Sequence, residues 1–206
     1  MNTLYLLDIR ELAPYRESAL PLLSGQRRDR VLSAHSEVNA LRSLGAGLLL
    51  RHYVGPGPFS YGEYGKPFLP GGPSFSLSHG GDLVVLAVGD GGTELGVDVE
   101  KIDRPWREAV ARRLFTKEEQ LWLCGSSERF FRLWTRKEAV LKCRGSGFSR
   151  LSVFSVMGEH CSLDGTDYRL STTLEGKHCI SLAVRNGSET ASICMINVQS
   201  LLSNFG

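Results

Sequence analysis

The chain has 206 residues, of which 42% are hydrophobic, and its 24 basic and 22 acidic side chains leave a net charge of +2. This length is enough for one domain or two small halves with a substantial core, and so small a net charge gives no reason to expect a nucleic-acid partner. No apolar stretch approaches the roughly twenty residues that a bilayer-spanning helix requires. Asp8 and Arg10 interrupt the N-terminus before a signal core could form, so we expect a soluble, cytoplasmic protein without a membrane partner.

The first half of the sequence predicts a strand, a long helix and three further strands. Residues 1–9 alternate as a strand, and apolar side chains recur at steps of three and four from Gln26 to Val54, which predicts one helix. Residues 64–73 are too rich in glycine and proline for regular structure. The three strands are predicted at 75–78, 83–88 and 95–100, with a turn at His79–Asp82.

The second half begins with helical signals and continues with strands. Thr116 and Glu119 fit a capping box, so Glu118 and Glu119 are expected to be capping and solvated charges. A helix from Glu128 to Lys142 follows, and the glycines at 145 and 147 close it. Four later segments predict strands of a second sheet, at 151–156, 168–173, 178–184 and 191–196. Five cysteines, none in a Cys-x-x-Cys pair, argue against both a disulfide framework and structural zinc.

Two acidic motifs suggest chemistry. Asp98 and Glu100 lie at i and i+2 of a predicted strand, so their carboxylates share one face while Val97 and Val99 face the other way. Two adjacent oxygen donors suit a hard cation such as Mg2+, although an isolated Asp-x-Glu is usually only a pair of polar side chains on a solvated strand edge. Glu138 strengthens the case because it lies one helical turn from Lys142, which places an acid and a base on one face.

Basic residues in the first half are candidates for phosphate binding. Arg27 and Arg30 are three residues apart on the predicted helix, with Arg42 further along it, and guanidinium groups suit bidentate phosphate contacts. A solvated helix face explains any one of them equally well. His79 and Lys66, taken alone, are likewise typical of solvated surface residues.

Four motifs, in order, resemble the signatures of the 4'-phosphopantetheinyl transferases. They are Gly65-Lys66-Pro67, the segment Phe75 to His79, the segment Gly96 to Glu100, and the segment Trp134 to Lys142. The length and the tail of strands are similar to the larger, single-chain type named after the surfactin-synthetase activator. The resemblance covers about Ser24 to Phe154. It implies transfer of the phosphopantetheine arm of coenzyme A to a serine of an apo acyl- or peptidyl-carrier protein, with release of 3',5'-ADP.

The resemblance also implies a role for each site residue. Asp98, Glu100 and Glu138 would hold Mg2+, although Mn2+ accepts the same ligands. Glu138 would also take the serine proton, directly or through water, and Lys142 would stabilise the leaving group. His79 is expected among the catalytic residues because its imidazole can donate to a phosphate oxygen. The set expected to bind coenzyme A is Arg27, Arg30, Arg42, Lys66, Pro67, Ser78, His79, Asp98 and Lys142.

The implied architecture is an α/β (α+β) fold of two similar halves with pseudo-twofold symmetry, each a small sheet packed with a long helix. The halves would be residues 1–98, with the coenzyme A loop and basic helix, and residues 99–206, with the catalytic helix and second sheet. The active site would lie at their interface, the chain would act as a monomer, and the carrier would dock after Arg104 and around the helix from Phe115 to Leu123.

Two positions depart from the family pattern, and two other functions stay open. Ser76 stands where an asparagine is common, and Gly80 where a serine is common, which affects contact details rather than the reaction. A non-catalytic coenzyme A or nucleotide-binding module would retain the basic residues without needing every carboxylate. A metal-dependent phosphate hydrolase would release 3',5'-ADP without any carrier protein.

Overall fold

The computed structural model describes residues 1–145, 152–187 and 191–205. Within these ranges the helices are α1 (Ile9–Leu12), α2 (Arg16–Ala19), α3 (Gly25–Leu32), α4 (Glu37–Tyr53), α5 (Glu108–Leu114), α6 (Lys117–Leu123), α7 (Ser127–Arg144) and α8 (Val198–Ser203). The strands are β1 (Asn2–Asp8), β2 (Ser60–Tyr61), β3 (Pro67–Phe68), β4 (Ser74–Gly80), β5 (Leu83–Gly89), β6 (Leu95–Lys101), β7 (His160–Leu163), β8 (Thr166–Glu175), β9 (His178–Arg185) and β10 (Ala191–Met195). The fold is therefore mixed α and β, as predicted. In the described part of the chain, no helix is both long and apolar enough to cross a membrane.

The strands form two four-stranded sheets and a short ribbon. The first sheet has the order β10-β1-β5-β4, the second has the order β6-β9-β8-β7, and β2 pairs with β3. The prediction that residues 191–196 belong to the second sheet is wrong, because β10 runs parallel to β1 with Asn2 opposite Ala191. Alternation identifies a strand, but it does not say which distant strand will be its neighbour.

Three apolar cores arrange these elements in layers. Leu44, Leu48 and other residues of α4 pack on one face of the first sheet. The opposite face packs against the second sheet, where Leu6 of β1 and Val97 of β6 belong to one central core. Residues of α7, such as Val140, pack on the far face of the second sheet. The order of layers is therefore α4, first sheet, second sheet, α7.

The predicted helix from Gln26 to Val54 is two helices, α3 and α4. The chain leaves the helix after Leu32, and Ser36 begins α4 by accepting a hydrogen bond from the amide of Asn39 at 3.3 Å. A serine at the N-cap competes with helix continuation because its hydroxyl satisfies an otherwise unpaired amide. The apolar period crosses this break, which is why the two helices are predicted as one.

The predicted strand at 151–156 is also wrong for the residues that are described, since 152–156 form no strand. Buried side chains bind their backbone instead. Lys137 donates to the carbonyl of Phe154 at 2.6 Å, and Glu119 accepts from the amide of Val156 at 2.8 Å. Lys137 and Glu119 themselves form a fully buried ion pair at 2.9 Å. Glu119 completes the predicted capping box with Thr116, but the expectation that it is solvated is wrong.

Candidate active site

Strand β6 places its carboxylates on the face predicted from its sequence. Val97 and Val99 point into the central core, so Gly96, Asp98 and Glu100 share the other face. A Cβ atom at Gly96 would overlap the carbonyl oxygen and the amide nitrogen of two residues of α7. The absence of a side chain therefore lets α7 lie directly on β6, which brings the helix residues next to Asp98.

A closed triangle of hydrogen bonds lies at this contact. The ammonium of Lys142 donates to Asp98 Oδ1 at 2.6 Å and to Ser78 Oγ at 2.8 Å, and Ser78 Oγ donates to the same Oδ1 at 2.9 Å. Ser78 and Asp98 are buried. The three side chains come from β4, β6 and α7, so the triangle joins the edges of both sheets to the long helix.

Two carboxylate oxygens beside this triangle have no partner. Asp98 Oδ2 and Glu138 Oε1 are buried without a hydrogen bond in the described part of the chain. Burial raises the pKa of Asp98, although Lys142 and Ser78 oppose the shift. Burial, followed by the nearby charge of Asp98, raises the pKa of Glu138 to about 7. A carboxyl group with that pKa can exchange a proton near neutral pH.

Glu100, the third predicted ligand, is held differently. Its Oε2 accepts from the guanidinium of Arg104 at 3.0 Å. In the ranges that the structure describes, no three His, Cys, Asp or Glu side chains are arranged to hold a metal ion. The donor set is nevertheless all oxygen, and two of its oxygens are buried and unpartnered, which is the chemistry that Mg2+ prefers.

The edge of β4 faces β6 through side chains rather than a backbone ladder. Ser76 Oγ accepts from the amide of Val97 at 3.0 Å, and a Cβ atom at Gly80 would overlap the carbonyl oxygen of Val99. The two departures from the family pattern therefore have structural reasons here, because both positions lie where two strands meet closely. His79 lies within β4 rather than in the predicted turn.

A cavity of about 430 Å³, called the basic cavity below, opens next to Lys142 and is lined by several of the predicted phosphate-binding residues. Its lining includes Arg27, Arg30, Lys66, Pro67 and Lys142. The ammonium of Lys66 donates to the carbonyls of Leu95 and Cys143, at 3.0 and 2.9 Å, and burial lowers its pKa. Lys66 therefore bridges the start of β6 and the end of α7 at the cavity wall.

Arg42 does not line this cavity and lies on α4, not on the helix of Arg27 and Arg30. Its Nε donates to the carbonyl of Gly81 at 3.0 Å, which ties α4 to the turn after His79. His79 is exposed on β4, and partial loss of hydration lowers its pKa, to which the charge of Arg42 adds. The neutral imidazole is thus favoured beside this arginine.

Three residues at these sites were not expected from the sequence. Tyr61 and Tyr64 line the basic cavity and leave half or more of their surface exposed, at 50% and 62%. Their signal was an aromatic pair within a loop rich in glycine. Arg104 binds the carboxylate of Glu100. The two residues are four apart in the sequence, but this spacing predicts no contact because Arg104 lies beyond the end of the strand.

Comparisons with known proteins identify the family of this chain. Residues 94–194 match the family model described as the 4'-phosphopantetheinyl transferase superfamily. The chain is 37% identical over 172 residues to 4'-phosphopantetheinyl transferase AcpT of Escherichia coli strain K12, covering 75% of this chain and 85% of that protein. It is 31% identical over 205 residues to a phosphopantetheinyl transferase of Thraustochytrium, covering 80% and 70%, respectively. It is also 31% identical over 150 residues to a 4'-phosphopantetheinyl transferase of Bacillus subtilis, covering 65% and 66%. The chain belongs to the 4'-phosphopantetheinyl transferase superfamily.

Proposed function

We propose that the cluster of buried Ser78, Asp98 and Glu138 with the partly exposed Lys142 is the active centre of this transferase. The protein transfers the phosphopantetheine group of coenzyme A to carrier proteins. The observation that supports this centre is the unpartnered, buried oxygen of Glu138 beside a lysine that is already hydrogen-bonded at the mouth of a basic cavity. The acceptor is the serine hydroxyl of an apo acyl- or peptidyl-carrier protein, and the second product is 3',5'-ADP.

Glu138 acts as the general base. A serine hydroxyl must lose its proton as its oxygen attacks phosphorus, and a carboxylate within hydrogen-bond reach can accept it directly or through one water. Without a bound ion the pKa of Glu138 is raised to about 7, so the group can exchange a proton near neutral pH, and a bound cation would favour its ionised, proton-accepting form. Its burial excludes competing solvent from the same position.

Lys142 and the arginines act on the phosphate charge. The ammonium of Lys142 is fixed by Asp98 and Ser78, so its charge is already oriented when the leaving phosphate develops negative charge. Arg27 and Arg30 bind phosphate groups of coenzyme A in the basic cavity, with Lys66 and Pro67 as its wall. His79 donates to a phosphate oxygen, and Arg42 supports the turn that follows it.

Mg2+ is the proposed cofactor, and Mn2+ is accepted by the same oxygens. Asp98 and Glu138 would hold the ion through their unpartnered oxygens, and Glu100 would join them after release from Arg104. The bound ion would neutralise the pyrophosphate of coenzyme A. Asp98 accepts from Lys142 and would also hold the ion, and for this reason we count it among the groups that bind coenzyme A.

The remaining expectations are proposals about the whole molecule. We propose that the halves 1–98 and 99–206 are related by a pseudo-twofold axis, that the chain acts as a monomer, and that it works in the cytoplasm. The symmetry is supported by the long helix packed on each sheet, α4 on the first and α7 on the second. The halves are also joined, because β10 returns from the second half to pair with β1. Sedimentation analysis of the purified protein tests the monomer, since a dimer would double the mass.

Intact-mass spectrometry tests the proposed centre. Purified apo carrier proteins are incubated with the enzyme, coenzyme A and Mg2+, and the variant Glu138→Gln is compared with Glu128→Gln, an exposed glutamate in the first turn of the same helix. We expect a gain of one phosphopantetheine mass with the wild type and the Glu128 variant only. Full transfer by Glu138→Gln would refute the general base. Release of 3',5'-ADP without a carrier would favour the hydrolase, and coenzyme A binding without transfer to any carrier would favour the binding module.

A further inference from the structure

Three hydroxyl groups, those of Thr135, Ser181 and Thr172, form a row between α7 and the second sheet. Ser181 of β9 lies directly opposite Asp98 of β6 and, on its other side, directly opposite Thr172 of β8. Side chains that are directly opposite on antiparallel strands share one face and lie about 5 Å apart. Asp98, Ser181 and Thr172 therefore lie on one line across three neighbouring strands, on the face that α7 covers.

Helix α7 is bonded to this line at two points. Thr135 Oγ1 and Ser181 Oγ are 2.8 Å apart, and one turn beyond Glu138 the ammonium of Lys142 donates to Asp98. Glu138 is three residues after Thr135 and four before Lys142, so these three side chains lie on one face of the helix. The proposed base thus lies between two hydrogen bonds that join α7 to two different strands.

The hydrogen bonds of the hydroxyl row have one consistent direction. Thr135 Oγ1 donates to the carbonyl of Phe131 at 2.8 Å, and because a hydroxyl has a single proton, it accepts from Ser181. Ser181 in turn accepts from Thr172 at 2.9 Å, and Thr172 accepts from Nε of Arg136 at 2.7 Å. Each of these donors has an acceptor, and a buried network that is satisfied in this way favours one geometry.

Burial limits what these hydroxyls can do. Thr135 and Ser181 are both 0% exposed, so neither can touch coenzyme A or a carrier protein. Each is instead an anchor between a helix and a strand, and separating them would leave two buried polar groups without their partner. The hydroxyl row therefore acts on the position of α7 over the sheet.

The position of α7 matters because the active centre contains a repulsion. The charge of Asp98 acts on Glu138, and two carboxylates that are close together repel each other when both are ionised. Lys142 compensates the charge at Asp98, whereas Glu138 Oε1 has no hydrogen-bond partner in the described part of the chain. That end of the Glu138 side chain is held in place by the attachment of its helix.

We propose that Thr135 and Ser181 are positioning residues, which hold α7 against β9 so that Glu138 stays beside Asp98. The inference rests on the proposed function and adds two residues that act through the base without touching a substrate. A general base must be within hydrogen-bond reach of the proton that it accepts. Loosening the helix therefore lowers the rate of transfer while leaving the substrate-binding groups in place.

Steady-state kinetics of Thr135→Val and Thr135→Ser test the inference, with an apo carrier, coenzyme A and Mg2+. Valine has nearly the shape of threonine without its hydroxyl, whereas serine keeps the hydroxyl. We expect valine to lower kcat about tenfold with little change in either KM, because a small misplacement of a catalytic group costs rate. Serine should restore most of kcat.

Ser181→Ala removes the other end of the same hydrogen bond. It should lower kcat as much as Thr135→Val does, and the double variant should lose little more, because residues that act through one contact are not additive. Ser181→Ala is also the smaller change in shape, so it provides the same test if Thr135→Val folds poorly. Circular dichroism identifies a temperature at which every variant is folded.

Two controls separate positioning from a general loss of stability. Thr173→Val removes a half-buried hydroxyl from the opposite face of β8. Leu201→Ala shortens a side chain in the core beside α4, away from α7, and lowers stability without touching the hydroxyl row. Both controls should keep a kcat near that of the wild type under conditions in which they are folded.

The outcomes separate this inference from the function on which it rests. A wild-type kcat in folded Thr135→Val and Ser181→Ala would overturn it, and so would a rise in KM at constant kcat. An equal loss in Thr135→Ser would show that the hydroxyl is not the cause, and an equal loss in Leu201→Ala would assign the effect to stability; either result overturns the inference. Failure of the wild type to modify any carrier would instead reject the proposed function, and with it the inference.

Discussion

Replacing Glu138 with glutamine tests whether the negative charge of this buried carboxyl group destabilises the folded protein. Glutamine has the shape of the protonated side chain and cannot ionise. Because burial and Asp98 raise the pKa of the folded-state carboxyl from 4.5 to about 7, the folded protein favours the protonated form. Its contribution to stability is fully present below pH 4.5 and is lost as the pH rises through about 7.

The size of this effect follows from the pKa difference. The interval from 4.5 to about 7 corresponds to about 3 kcal/mol, since one pH unit is worth about 1.4 kcal/mol. At about pH 5.5 roughly 1 kcal/mol has already been lost, and the remaining ~2 kcal/mol is lost by about pH 8.5. We therefore expect the stability of Glu138→Gln relative to wild type to increase by about 2 kcal/mol between these two pH values.

Urea unfolding at the two pH values, with EDTA and without coenzyme A, measures this difference. The effects of other titrating groups on stability are the same in both proteins and cancel in the difference between variant and wild type. A packing difference that does not depend on pH cancels when the two pH values are compared. The control variant is Glu128→Gln, which replaces an exposed glutamate of the same helix. Equal stability differences at both pH values would refute the raised pKa, and with it the argument that Glu138 is poised to accept a proton. In a separate measurement, Mg2+ in place of EDTA should stabilise the wild type more than the variant, because the ion binds the folded protein with Glu138 ionised.

Three further predictions concern contacts around the centre. Gly96→Ala should lower the free energy of unfolding by about 3 kcal/mol, because the added methyl overlaps the backbone of α7; an unchanged urea midpoint would contradict this close approach. Arg104→Gln should strengthen Mg2+ binding by about 3-fold in calorimetry, since it frees Glu100, and weaker binding would show that the arginine helps rather than competes. Lys137→Met should cost about 3–5 kcal/mol because it leaves the carboxylate of Glu119 buried without its cation. Adding Glu119→Gln removes that charge and keeps an oxygen that can accept from the amide of Val156, so it should restore much of the loss; no recovery in the double variant would show that the unpaired charge is not the cause.

Local patterns in the sequence were sufficient to predict several parts of this structure. The alternation of Val97 and Val99 with Asp98 and Glu100 is confirmed, because side-chain direction in a strand depends only on the parity of position. The capping box at Thr116 is confirmed, and so is the end of α7, where Gly145 adopts a φ of 68°. Of the two glycines expected to close that helix, Gly147 lies outside the described residues. These features depend on interactions between residues close in sequence.

Features that depend on distant partners could not be predicted in the same way. Whether β10 pairs with β1 or with the second sheet is decided by the packing of the whole chain. Residues 152–156 have a strand-like composition, yet the side chains of Glu119 and Lys137 bind their backbone and replace a neighbouring strand. The contact of Arg104 with Glu100 depends on how the chain turns after β6. In each case the local pattern allowed several structures with similar energies.

The segment from Gly96 to Glu100 shows how packing and chemistry are combined in one strand. Its glycine admits α7, its two valines fill the core between the sheets, and its two acids face the helix. The opposing strand also lacks a side chain at the closest approach, where Gly80 meets Val99. Asp98 therefore lies in a gap too narrow for water to solvate it freely, and its charge depends on Lys142 and Ser78. Burial and the charge of Asp98 likewise raise the pKa of Glu138, so the helix that Gly96 admits brings two buried carboxyl groups together in one site.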